Sequence, residues 1–227
     1  MLPDACVDVV LTAGRLVVAG PATSAVEVAA TPDQHRCGVR FRVGWAGAAL
    51  GVPADELRDL DVPLEEVWGA DGRRLSSAVS GAPDAETALD LLIRGVAALR
   101  GAHDPYARQA ALLLPGHHFA VISRDLGVSE RQLRRQVQRA VGYGPRTLTR
   151  VLRLQRFLRA AQTRPGASLA RLAADTGYAD QAHLARECRD LTGQTPSALR
   201  AAGAGAAGEP VSDAFKPAGA GPASVGR

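Results

Sequence analysis

The sequence predicts an α+β chain, with a small β-rich N-terminal domain followed by an all-α domain of two helix–turn–helix units joined by a linker helix. Three observations predict it. Residues 1–45 are rich in β-branched runs broken by turn residues. Residues 100–200 are basic and periodic at helical spacing, and one stretch within them recurs 51 residues later.

A chain of 227 residues holds one large or two modest domains, and 46% hydrophobic residues can fill their cores. No apolar run approaches the length of a membrane span. The N-terminus, MLPDACVDVV, has acids and no basic leader region, so it is not expected to be a signal peptide. Cys6, Cys37 and Cys188 are odd in number and widely spaced, which suits a reducing cytoplasm better than a disulfide framework. The net charge of +4 hides a division. Residues 100–200 carry 17 basic and 7 acidic side chains, a balance of +10, while the remainder carries 10 and 16, a balance of −6. A basic block beside an acidic one is the pattern of a nucleic-acid-binding domain attached to a second unit.

Taken in order, Cys6–Thr12 and Arg15–Ala19 read as strands broken by Ala13 and Gly14, a hairpin signal. Ser24–Ala30 alternates, as do Val39, Phe41 and Val43 against Arg40 and Arg42, which predicts half-buried strands. Short helical pieces follow in WAGAALG and PADELRDL. Asp84–Leu99 has Leu89, Leu92, Ile93 and Val96 at helical spacing with Asp84 as its N-cap, and reads as a connecting helix or an interaction surface. A further helix is expected over Pro105–Leu114. The expected organisation is residues 1–80 as the β-rich domain, 81–111 as connecting helices, 112–201 as the double helix–turn–helix domain and 202–227 as a disordered Gly/Ala/Pro-rich tail.

Within the basic block, GVSERQLRRQVQRAVGYGP reads as a turn followed by an amphipathic helix, with Ser129 as N-cap and Leu133, Val137, Ala140 and Val141 on one face. Phe119–Leu126 is an amphipathic segment in front of it, and Gly127 suits the tight corner between two helices. At an offset of 51 residues, Leu133 meets Leu184, Arg135 meets Arg186, Val137 meets Cys188, Gly142 meets Gly193, Pro145 meets Pro196 and Leu148 meets Leu199. Gly127 and Gly177 share the corner if the second copy has one extra residue. Both copies end in G-x-x-P opening a helix, where Pro forfeits no hydrogen bond. Between them Pro145–Gln162 can turn Leu148, Val151, Leu152, Phe157 and Leu158 inward and five arginines outward.

The second copy, LARLAADTGYADQAHLARECRDLTGQTPSALR, carries the more specific signature. On it, residues 112–201 resemble the DNA-binding domain of the AraC/XylS family of bacterial transcription regulators. Tyr178, Leu184 and Cys188 replace aromatic residues of the family pattern and stay apolar, as does Val137 in the first copy. The N-terminal part, from LPDACVDVVLTAGRLVVAGPAT to PLEEVWG, is similar to the cupin-like N-terminal domain of a subgroup of that family, in a shortened, incomplete form.

The resemblance implies that Arg131, Arg134 and Arg135 face a DNA major groove, with Gln181, Ala182 and Arg186 in the corresponding places of the second unit and His183 beside them. Arg suits guanine O6 and N7, Gln suits adenine N6 and N7, and each specific contact discriminates by about 1–3 kcal/mol. Arg139, Arg146, Arg150 and Arg189 are better placed for phosphates, which position without specifying. Asp180 is expected to cap the second recognition helix.

The expected function is therefore a sequence-specific, cytoplasmic DNA-binding transcription regulator with no catalytic residues, no cofactor and no membrane partner. Its partner is double-stranded DNA, with a small-molecule effector or a second copy of the chain at the N-terminal domain, and RNA polymerase if it activates. The alternative is a ligand-binding or metal-dependent cupin-like protein with an accessory basic helical domain. Asp4, Asp8, Asp33, His35 and Cys37 are the candidate ligands, but no H-x-H pattern or paired-Cys spacing is present, so no metal site is expected.

Overall fold

The structure, a computed structural model, describes residues 1–26, 37–98, 108–110, 113–114 and 116–205. It is α+β, with a small antiparallel sheet at the N-terminal end and a helical C-terminal region. Strands β1 (Asp8–Thr12) and β2 (Arg15–Ala19) form the hairpin. Ala13 (φ 48°) and Gly14 (φ 75°) both take the left-handed region, the conformation that matches a two-residue turn to strand twist. Strand β3 (Gly38–Arg40) pairs with β1, and β4 (Asp61–Pro63) with β2, giving the order β3-β1-β2-β4, antiparallel throughout.

One face of the sheet is closed by α2 (Leu64–Ser80) and α3 (Ala85–Ala97), which follow the short α1 (Ala46–Leu50). Val9, Leu16, Val18, Leu64 and Leu92 meet there, and burying each such side chain stabilises by about 1.5–3 kcal/mol. The Leu16 N–H donates to the buried Ser76 Oγ at 3.0 Å, which ties the hairpin to α2. Gly69 (φ 57°, ψ −125°) kinks α2. Asp84 caps α3, accepting from the Thr87 N–H at 2.7 Å. Helix α3, expected as a connecting helix or an interaction surface, packs Ala88, Leu92 and Val96 into the core of the sheet.

Two local readings are corrected. The segment PADELRDL is not helical but a series of turns: the Glu56, Leu57 and Leu60 amides donate three residues back, to Pro53, Ala54 and Leu57, and Asp59 takes the left-handed region (φ 58°), which a helix cannot continue through. Of Ser24–Ala30, residues 24–26 form no strand; the Ala25 N–H donates to Leu191 at 3.0 Å, and the rest lies outside the described residues. Half of the Pro105–Leu114 segment lies outside them too; of the described half, 108–110 are helical, and Ala110 and Leu114 are buried in the helical core.

The helical region runs α4 (Phe119–Asp125), α5 (Glu130–Val141), α6 (Pro145–Thr163), α7 (Leu169–Thr176), α8 (Gln181–Thr192) and α9 (Pro196–Gly205). Helix α6 is its spine. Leu148, Val151, Leu154 and Phe157 are fully buried along it, so the inward stripe includes Leu154, while Leu152 and Leu158 are half-buried at its margins. Helix α9 continues to Gly205, past the expected end of the domain at 201, and the Gly/Ala/Pro-rich stretch from 206 lies outside the described residues.

The sheet unit and the helical region are docked against each other. Ala5 is buried in the helical core and Leu2 packs on it. The Gln155 Nε2 of α6 donates to the Pro3 carbonyl at 2.7 Å.

Candidate nucleic-acid interface

The helix pair α4–α5 turns at Gly127 (φ 66°), a conformation that favours glycine. Ser129 Oγ accepts from the Gln132 N–H at 3.2 Å and starts α5. Leu133 and Val137 are fully buried and Val141 nearly so. Because α5 gives that face to the core, Arg131, Arg134, Arg135 and Arg139 project from the rest of its surface, and all four are exposed. The Arg134 guanidinium lies 6.0 Å from the centroid of the Phe119 ring, within cation–π range.

The pair α7–α8 repeats the plan. Gly177 (φ 88°) forms the corner, and Asp180 Oδ1 accepts from the His183 N–H at 2.6 Å as the N-cap. Helices α5 and α8 span 130–141 and 181–192, so the 51-residue offset holds at both ends. Leu184 and Cys188 occupy the buried places of Leu133 and Val137. Both helices end on a left-handed glycine, Gly142 (φ 94°) and Gly193 (φ 69°), which supplies the C-cap.

On α8, Gln181, Ala182, Arg186 and Arg189 are exposed. His183 is not free for a base edge in the same way. Its Nδ1 accepts from the Ala179 N–H at 3.2 Å, and its ring meets Tyr178 edge-on at 5.3 Å, so the imidazole closes the turn. Burial pushes the Tyr178 phenol up from its ordinary range, with Cys188 and Glu187 adding to the effect. Burial likewise pushes the Cys188 thiol up to about 12.

Arg146 stands exposed on the first turn of α6. Arg150, one turn on, is engaged elsewhere. Its Nε donates to Glu187 Oε1 at 2.9 Å and its Nη2 to Asp190 Oδ2 at 3.1 Å. Arg153 Nη1 lies 3.5 Å from Glu187 Oε2, and its guanidinium covers the Tyr178 ring at 5.3 Å. His183 Nε2 is 3.8 Å from Glu187 Oε1. These side chains line a groove between α6 and α8 that Arg146 and Arg186 also border. By contrast, Arg131, Arg135, Arg139, Arg146, Arg186 and Arg189 make no ion pair with the described residues.

The sequence reading missed Glu187 and Asp190. Their signal was present as two carboxylates three residues apart on one helix of an otherwise basic block. In the sheet unit, Arg40 bridges Asp8 (Nη2–Oδ2 2.8 Å) and Asp4 (Nη1–Oδ2 2.9 Å), which makes those carboxylates an ion-pair cluster. Asp33 and His35 lie outside the described residues, and among those described no three His, Cys, Asp or Glu side chains converge as metal ligands would.

No described helix is long and apolar enough to cross a membrane. No curated protein matches the chain. Residues 1–63 match a family model described as a domain of unknown function (DUF6597). Residues 122–202, from α4 through the first part of α9, match a family model described as a helix-turn-helix domain, of the AraC type.

Proposed function

We propose that this chain, a DNA-binding transcription regulator of the AraC/XylS family by its residues 122–202, reads double-stranded DNA with two recognition helices, α5 and α8, in adjacent major grooves. The observation that carries this reading is the 51-residue repeat, which extends from sequence to helix limits, caps and buried positions alike. The domain of residues 112–201 is then two helix–turn–helix units, with α6 as the connector. At 19 residues and 1.5 Å per residue, α6 is about 28 Å long, close to the ~34 Å between successive major grooves on one DNA face.

In this reading Arg131, Arg134 and Arg135 contact base edges from α5, and Gln181, Ala182 and Arg186 from α8. His183 supports the turn that delivers them, and its Nε2 edge adjoins the groove. Arg139, Arg146 and Arg189 neutralise phosphates. Arg150 differs from the expectation: with its guanidinium on two carboxylates it is assigned to holding α8 against α6. The N-terminal domain, residues 1–80 with α3 packed on it, binds a small-molecule effector or mediates homodimerisation. The chain acts in the cytoplasm and not as an enzyme, and contacts RNA polymerase if it activates.

The test is binding of the full chain to fragments selected from the host genome. The wild type is expected to protect two successive major grooves. Arg135→Ala and Arg186→Ala are each expected to weaken specific binding at least tenfold, about 1.4 kcal/mol, with circular dichroism unchanged. Tight, salt-insensitive binding by the double variant would overturn the reading.

A further inference from the structure

The two recognition helices occupy equivalent places in the repeat but carry unlike charge. Residues 130–141 hold four arginines and one glutamate, a balance of +3, whereas 181–192 hold two arginines, one glutamate and one aspartate, a balance of 0. At the 51-residue offset, Glu187 stands where α5 has Gln136, and Asp190 stands where α5 has Arg139.

The two carboxylates of α8 are not solvated charges of an ordinary surface. Glu187 is 8% exposed, although its neighbour Arg186 is exposed on the same helix. Glu187 faces Arg150 and Arg153 of α6 and His183 of its own helix, and Asp190 takes the second arm of Arg150. Two α6 guanidinium groups beside the recognition helix are thereby already paired.

We propose that Glu187, assisted by Asp190, is a specificity-determining residue that withholds Arg150 and Arg153 from DNA phosphates. The proposal rests on the reading that both α5 and α8 enter the duplex. The physical reason lies in what each kind of contact reports. Phosphate neutralisation is blind to sequence and supplies nearly all non-specific binding, growing with each cation that releases counterions. Base contacts alone discriminate. A guanidinium already paired with a carboxylate neutralises no phosphate and so releases none of the counterions condensed on the DNA, and the second unit adds base contacts without adding much non-specific attraction. The first unit, whose Arg131, Arg135 and Arg139 make no ion pair with the described residues, supplies the attraction instead. Glu187 raises the ratio of specific to random binding by keeping the denominator low.

The experiment compares wild type, Glu187→Gln and Asp190→Asn full-length chains on a random 30-base-pair duplex and on a selected site, by fluorescence anisotropy across salt concentrations. Glutamine keeps the volume of Glu187 but not its charge. Asp190, whose side chain is 64% exposed, can lose its charge without disturbing the core. Glu187→Gln frees Arg153 and leaves Arg150 only Asp190, while Asp190→Asn frees one arm of Arg150. Each arginine fully released is expected to steepen the slope of log K against log salt by about 0.9 and to tighten random-duplex binding about fivefold or more at 0.1 M salt, and a partly released one to move both in the same direction. Discrimination falls correspondingly. Adding Arg150→Gln to Glu187→Gln is expected to bring the slope back toward the wild-type value. A merely structural role predicts the reverse sign, with weaker binding to both duplexes. Unchanged slopes in both single variants, or weaker random binding by Asp190→Asn, would overturn the proposal while the wild type still protects two grooves. Protection of one groove by the wild type would overturn it together with the two-helix reading.

Discussion

The backbone N–H of Ala54 donates to the Arg139 carbonyl at 2.7 Å, so a turn of the sheet unit satisfies a carbonyl in the last turn of α5. The last carbonyls of a helix have no partner within it and must find one outside. The same thing happens at α8, where the Ala25 N–H donates to the Leu191 carbonyl at 3.0 Å. Around Ala54 the approach is close: a Cβ on Gly142 would lie 2.2 Å from Pro21 Cγ, and one on Gly47 3.1 Å from the Arg139 oxygen. The N-terminal unit is thus fastened to the C-terminal ends of both α5 and α8.

Ala54→Pro tests the strength of that fastening. Proline has no N–H, so the Arg139 carbonyl is left without its partner, and Ala54 is itself fully buried. The unfolding free energy is expected to fall by about 1–3 kcal/mol in urea titrations followed by circular dichroism. A midpoint equal to that of the wild type would mean that water or another donor serves the carbonyl equally well.

A second expectation concerns acid. Asp175 Oδ2 accepts from Arg164 Nη1 at 2.6 Å and Arg171 Nε at 3.1 Å, joining α7 to the residue that follows α6. The hydrogen bond from Arg164, and then that from Arg171, hold the Asp175 carboxyl below its ordinary value of 3.8. The folded state therefore favours the ionised form. The resulting stabilisation is fully present above the ordinary value and is lost as pH falls through the lower, folded one. Asp175→Asn is expected to lose less stability than the wild type between pH 5 and pH 2.5, read from urea midpoints. Equal losses in the two proteins would contradict it.

Thiol chemistry provides a third check. Burial pushes both Cys6 and Cys188 up to about 12, and the thiolate is the reacting species. Cys188 is fully enclosed in the core between α8 and its neighbours. At pH 8 the native chain is expected to leave Cys188 unmodified by an aromatic disulfide reagent, with labelling complete only in denaturant. Mass spectrometry of native and unfolded samples distinguishes the two, and rapid native modification of Cys188 would show that the core opens readily.

Much of the helical region was legible because its signals are local. Ser129 and Asp180 cap helices whose first amides lie two or three residues away, and Gly127, Gly142, Gly177 and Gly193 all have positive φ, three as helix C-caps and Gly127 in the turn between α4 and α5. Leu133, Val137, Leu184 and Cys188 repeat at helical spacing, and all four are fully buried. The hairpin around Ala13 and Gly14 was legible for the same reason. The PADELRDL segment was not: Asp59 takes the left-handed region while its carboxylate accepts from the Thr23 N–H, 36 residues away, a bond no local pattern announces.

The sequence by itself determined the α+β order, the repeated helix pairs, their caps and the surplus of arginine on residues 100–200. Each follows from periodicity or from a hydrogen bond spanning a few residues. Only the tertiary structure decided which arginines remain available. Arg150 and Arg135 look alike in the sequence, yet Arg150 meets Glu187 and Asp190, 37 and 40 residues away, while Arg135 stands exposed. The partner of a charge depends on which helices pack together and at what register. That is set by the buried faces of α6 and α8, not by the residues adjacent to the charge.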